Sequence, residues 1–292
     1  MDKIKLYILL LLAFTIVTFA QEEDEEIFLQ SYTPSVLFHK GEFELKIFNN
    51  LYTQTSFFDD GANKIETGNR NNYFTGIFSF LYGINSSLNI GLEFWLKAAS
   101  NKPAESSPFE IFNFEQSNNA RTVLSHIGPK IKFLPFSGTK SFLDEVSLQT
   151  TLFIPVASNL EGSAGSPFVE FDSFVWLNQF FYDNRLNDDF SLFLEFDTWV
   201  RINKEFNGSN YYDFPLKAFL SYYPSEKLTL YAMHEISTRF YSGGNSYYFH
   251  LGGGLKYQLF DFLELEALAT TFYLGKNSGA GNTLNIGFRF IN

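Results

Sequence analysis

The chain has 292 residues, no cysteine and a formal net charge of −11. Without thiols it has no disulfide staples, thiolate metal sites, cysteine nucleophile or lipoprotein anchor. Its acidic balance argues against nucleic acid as a partner, which takes a basic surface. The 37 Phe and 16 Tyr suit strands and membrane interfaces, whereas a mean hydropathy of −0.07 decides nothing, because only alternate residues of a membrane barrel face lipid.

Residues 1–20 have a short basic start, an apolar run and small residues at Thr18 and Ala20. This order reads as a secretory signal peptide cleaved after Ala20. Residues 21–40 then form an acidic periplasmic segment, read as a flexible lead-in too polar at its start to bury much surface, with folding into the periplasmic mouth as the alternative. From residue 41 to 292 the dominant period is two. Leu88, Ile90, Leu92, Phe94 and Leu96 share one face, while Asn89, Gly91, Glu93, Trp95 and Lys97 share the other. The same alternation runs through 190–202, 263–273 and 284–290.

Reading from turn to turn predicts strands at 42–55, 73–83, 88–97, 121–134, 142–155, 169–182, 189–202, 211–223, 228–240, 247–259, 263–273 and 283–290. The sixth carries Phe and Trp on both faces. Long polar connections at 56–72 and 98–120 alternate with tight turns such as 84–87, and the contrast fades in the second half. Alternation alone does not say which face meets water, so a soluble β-sandwich is the rival. Strand length separates them: sandwich strands cluster near about 5–6 residues and membrane-spanning ones need about 9–11. The expected fold is all-β, a transmembrane antiparallel up-and-down barrel of about twelve strands, with short periplasmic turns and longer outer loops.

In such a barrel the charged face points into the lumen, and antiparallel order sets the neighbours. Lys130 and Lys132 are expected beside Glu145, and Glu195 and Asp197 opposite Lys217, with Glu235 beyond. Arg289 is expected between Glu42 and Glu44 on one side and Glu264 and Glu266 on the other, with Lys256 completing the cluster. Lys46, Glu93, Arg201 and Arg239 complete the candidate lumen lining. These ladders brace the interior, and they also form stripes able to sort solutes. Inward Phe48, Tyr52, Trp95, Trp199 and Tyr231 would narrow the passage.

Catalysis finds little support. A serine nucleophile and its histidine base on one strand face would lie two residues apart, but Gly41, Gly128, Ile236 and Gly252 stand two places after His39, His126, His234 and His250. Ser125 adjoins His126 and by alternation points to the opposite face. His126 and His250 read as lumen groups and His234 as lipid-facing. Asp59-Asp60-Gly61 reads as a turn rather than a cation site. No enzyme activity, metal or cofactor is expected.

The signal-like start, the even set of long strands and the closing Leu284-Asn-Ile-Gly-Phe-Arg-Phe290 resemble outer-membrane proteins of Gram-negative bacteria. That closing strand is similar to the signal read by the barrel-assembly machinery, although it ends in Ile291-Asn292 rather than an aromatic residue. Residues 40–44, 48–55, 108–121, 157–170 and 274–281 resemble a group of barrels described as putative transporters or phenol-degradation-type outer-membrane proteins. The resemblance implies an outer-membrane barrel with lipids, the assembly machinery and small solutes as partners. Passage of small solutes is the expected function, with a lipid-acting barrel enzyme or a closed structural or adhesive barrel as alternatives.

Overall fold

The computed structural model describes residues 34–136, 145–163, 166–204 and 208–292. The expected signal peptide and most of the acidic lead-in lie outside them. Twelve long strands close into one antiparallel barrel: β1 (Phe43–Phe58), β2 (Lys64–Asn85), β3 (Leu88–Pro103), β4 (Ala120–Phe133), β5 (Val146–Pro155), β6 (Ser173–Arg185), β7 (Phe190–Asn203), β8 (Tyr211–Ser225), β9 (Leu228–Tyr241), β10 (Gly244–Phe260), β11 (Leu263–Lys276) and β13 (Asn282–Ile291). A two-residue rung, β12 (Ser278–Gly279), pairs only with the outer tip of β1. Each long strand pairs with its chain neighbours, and β13 closes on β1, with Lys46 opposite Arg289. Closure leaves no edge among the twelve long strands, so each finds backbone partners without water.

The distribution of side chains decides against a sandwich. Leu45, Phe78, Phe80, Ile90, Leu152, Ile154, Phe196, Leu216, Leu251 and Ile286 point outward and are exposed, while Asn72, Asn89, Lys132, Thr151 and Asp197 are fully buried inside. A water-soluble sandwich has the opposite arrangement. An apolar exterior round a polar interior is what lipid selects.

The strand set differs from the expected one mainly at the outer end. The long loop expected at 56–72 is a short turn, 59–63, because β1 and β2 run on as a protruding hairpin in which Phe57 pairs with Ile65. Beyond the membrane both faces of the hairpin meet water, so Glu66 to Asn71 is polar on both sides and shows no alternation. At the Asp-Asp-Gly turn, Asp59 Oδ1 accepts from the Asn63 N–H at 2.8 Å and Asp60 pairs with Lys276 at 3.0 Å. The connection of 104–119 holds a short 3₁₀ turn, Pro108–Asn113, whose Ser107 cap and Glu110 form a reciprocal capping box. The expected start of the fifth strand at 142–144 lies outside the described residues.

The expected start of the sixth strand at 169 is corrected to 173, because 169–172 belong to a loop that turns inward. The mixed faces of β6 also find their reason. Val175 and Leu177 point inward and are buried against Trp95 and Phe153, so this stretch of the strand is apolar on both sides.

Candidate functional site

The site is the lumen and its two mouths. The mouth expected to face the periplasm is the one ringed by the turns 86–87, 186–189, 226–227 and 261–262 and by the start of β1 and end of β13. Residues 34–40 fold into it. Phe38 is fully buried, its N–H donates to Asn89 Oδ1 at 2.8 Å and its carbonyl accepts from Asn89 Nδ2 at 2.8 Å. Lys132 Nζ donates to the Val36 carbonyl. Gly83 is what lets the segment approach: a Cβ there would lie 2.0 Å from the His39 carbonyl oxygen. For 34–40 the alternative reading holds, a segment folded into the barrel mouth as a plug. Its apolar residues Val36 and Phe38 follow the acidic start and cover Leu81.

Several predicted charges meet. Glu195, Lys217, Glu235 and His250 stand side by side across β7 to β10. Lys217 Nζ reaches Glu195 at 2.7 Å and Asp197 at 2.9 Å, and His250 Nε2 reaches Glu235 at 2.8 Å. At the closing seam Arg289 bridges Glu44 at 3.0 Å and Glu264 at 2.6 Å. Lys46 lies opposite Arg289 in register, and Lys256 opposite Glu266, whose carboxylate accepts from the Tyr231 hydroxyl at 2.6 Å.

Three pairings are corrected. Lys130 Nζ pairs with Glu93 at 2.6 Å and with Ser79, not with Glu145, which sits exposed just before β5. Lys132 turns to the plug and to the ring of Phe181, 5.9 Å away, rather than to Glu145. Glu42 precedes β1 and accepts from the His39 N–H at 2.8 Å, so it caps the plug's turn instead of joining Arg289.

Other residues were missed. Asp213 joins Arg201 to Arg239 near the outer mouth, and Glu170, from the loop of 156–172, pairs with Lys97 at 2.5 Å. The signal for Asp213 was present: it shares parity with Lys217, and antiparallel register puts it opposite Arg239. No such signal exists for Glu170, because loops have no register. This loop straps the outer mouth. Leu160 and Val169 bury against Ala99, and the Phe171 ring lies 4.1 Å from that of Tyr211 and 5.3 Å from the Arg239 guanidinium. Between strap and plug, Trp95 packs 3.8 Å from Phe153 and 5.8 Å from Trp199, an apolar partition of the lumen.

Burial pushes the Glu170 carboxyl up, but Lys97 and then Arg201 outweigh it and hold it at about 2. A lowered carboxylate contributes stability above its unfolded value, lost as pH falls towards the folded one. Docking of the strap is therefore expected to weaken between about pH 5 and about pH 2 by on the order of 3 kcal/mol. Hydrogen exchange of residues 166–172 in folded barrels reads this directly, and Glu170→Gln should abolish the pH dependence.

Local alternation also fails beside Trp95. A bulge beside Trp95 buries both Ser125 and His126. They still do not engage each other: Ser125 Oγ donates to the Trp95 carbonyl at 3.2 Å and His126 Nε2 bonds the Ser173 carbonyl at 3.0 Å. A cross-strand array escaped the two-residue search. His250 Nε2 meets Glu235 and Nδ1 meets Thr270 Oγ1 at 3.2 Å, yet that hydroxyl is buried and shared with Thr283 at 2.6 Å. His234 faces outward as expected and bonds the Tyr273 hydroxyl at 2.8 Å.

No protein-family model matches the chain, and no curated protein matches it in sequence. Solved structures do match in shape. The crystal structure of an outer membrane channel from Pseudomonas putida F1 aligns with a TM-score of 0.66 at 10% identity, covering 90% of this chain and 99% of that one. The β domain of the Bordetella autotransporter BrkA aligns with a TM-score of 0.56 at 13% identity, covering 86% and 99%. With its twelve-strand closure, apolar exterior and polar lumen, the chain has the fold of the outer-membrane β-barrels.

Proposed function

We propose that this protein is an outer-membrane channel for small polar solutes, exported through the signal-like residues 1–20 and narrowed by its own N-terminal plug. The observation that carries the reading is the nature of the plug contact. Residues 34–38 lie in the lumen without joining any strand, held by side-chain bonds from Asn89 and Lys132. Such a contact can be undone without opening the barrel, whose strand pairs are independent of it. The structural likeness to a bacterial outer membrane channel agrees with this.

In the closed arrangement, opposite charges fill the lumen with compensated rows, which lowers the cost of keeping ions away from bulk water. Once the plug leaves, the same rows would present alternating charge to a hydrated path. Arg239, 35% exposed at the outer mouth, is the cation of these rows most open to solvent among those paired there. Refolded protein in planar bilayers should give stable single-channel steps. Arg239→Gln should shift ion selectivity towards cations severalfold while Asp213 keeps its bond to Arg201. A folded barrel that conducts neither as wild type nor without residues 34–38 would overturn the channel reading.

A further inference from the structure

The outer vestibule holds a cavity unlike the rest of the interior. It measures about 280 Å³ and lies between β2, β3, the end of the 104–119 connection and the strap. Four amides line it, Asn71, Asn101, Asn118 and Asn119, with three serines and the aromatic side chains of Tyr73 and Phe168. None of its lining residues is charged. In a chain of net charge −11 whose lumen is crossed by ion pairs, that neutrality is the informative feature.

The amides are held in place by the fold. Asn101 Nδ2 donates to Asn71 Oδ1 at 2.6 Å, which fixes the two side chains relative to each other across β2 and β3. The Asn101 N–H donates to the Asn119 carbonyl at 2.8 Å, and this bond anchors the end of the connection against β3. Asn118 and Asn119 are exposed at the rim, and Phe168 is 37% exposed beside them. Tyr73 is braced from below by Tyr52, their rings stacked 6.1 Å apart.

Chemistry narrows the occupant. A charged solute would give up hydration here without meeting an opposite charge. A hydrocarbon would leave several amides unpaired, at a cost for each. Carboxamides both donate and accept, as hydroxyl groups do, and aromatic walls suit the apolar face of a ring. A ligand with many hydroxyls, no charge and one flat apolar face meets all three conditions. The volume lies just under the about 300–1,000 Å³ of pockets for drug-sized ligands, which seats one or two rings of a short sugar chain, the rest of the chain extending past the exposed rim.

We infer that this cavity is a binding site for a neutral carbohydrate at the outer surface of the barrel. The inference rests on the outward orientation of the longer loops and not on conduction. Neutral hydrogen bonds and one aromatic contact give weak binding, in the millimolar range.

The test is equilibrium binding of maltotriose to the refolded full barrel, followed by saturation-transfer NMR, with sodium glucuronate and phenol as charged and apolar comparisons. Saturable maltotriose binding is expected, tighter than that of either comparison. The double change Asn118→Leu and Asn119→Leu, at exposed positions, should weaken it about tenfold, the size of one or two neutral hydrogen bonds. Phe168→Ala should weaken it similarly, and heat-dependent gel mobility confirms that each variant is folded. The proposal is overturned if maltotriose does not saturate, if glucuronate or phenol binds more tightly, or if the folded variants bind as wild type does. A barrel that binds maltotriose without conducting keeps this site and loses only the channel reading. One that conducts without binding does the reverse.

Discussion

Asn89→Leu is expected to raise the single-channel conductance several-fold. Asn89 is fully buried, and its side chain supplies both partners of the Phe38 backbone, donor and acceptor, at 2.8 Å each. Leucine is of similar size but bonds neither group. The docked plug would then carry an unpaired N–H and an unpaired carbonyl, at about 1–3 kcal/mol for such a group. That shifts the balance between docked and undocked segment by about five- to a hundred-fold. Gly83→Val should act in the same direction from the other side. Its Cβ would lie 2.0 Å from the His39 carbonyl oxygen and 2.7 Å from that of Phe38, so the segment must move. Neither residue bears a charge, so conductance should change with little change in ion selectivity. Deleting residues 34–38 sets the upper limit. If the deletion leaves conductance at the wild-type value, the plug is not the constriction. The partition of Trp95, Phe153 and Trp199 then takes that role.

The strands were legible because lipid on one side and a polar lumen on the other write a period of two along each of them. This held even for β7, where Glu195, Asp197 and Arg201 mark the lumen face without interruption. The period vanishes wherever both sides of a strand meet the same medium. It vanishes in water for residues 66–71 of β2, and in the apolar partition for Val175 and Leu177 of β6. A single inserted residue defeats it too, since the bulge beside Trp95 brings Ser125 and His126 to one side. Charge partners were legible where register alone fixed them, as for Lys217 between Glu195 and Glu235 or Arg289 beside Glu264. They were not legible where a side chain reaches along its strand or into a segment that has no register. Lys130 reaches Glu93 in that way, Lys132 reaches the plug, and Lys97 reaches Glu170. The inward loops were hidden for a related reason. Leu160, Val169 and Phe171 bury apolar surface from a loop, and in the sequence such residues read as the start of a strand.

Arg289→Met should destabilise the folded barrel by about 3–5 kcal/mol, the range for removing one partner from a buried ion pair. Arg289 is 4% exposed and lies on the closing strand β13, between Glu44 of β1 and Glu264 of β11. The seam is the one place where the barrel joins the two ends of its chain, so these carboxylates repel each other across the join once the guanidinium is gone. Lys46, opposite Arg289 in register, can compensate only in part, because it must serve Glu44 and Glu266 together. The loss should appear as a lower urea midpoint in lipid and as heat-dependent gel mobility that disappears at a lower temperature. Adding Glu44→Gln and Glu264→Gln to Arg289→Met should recover most of the stability. A neutral triad no longer buries unpaired charge, even though it has lost every ionic contact of the original. If the triple variant instead stays as weak as Arg289→Met alone, the guanidinium acts through its packing at the seam rather than through its charge. If Arg289→Met alone costs nothing, water reaches the seam freely and the row is a surface of the passage rather than a brace of the wall.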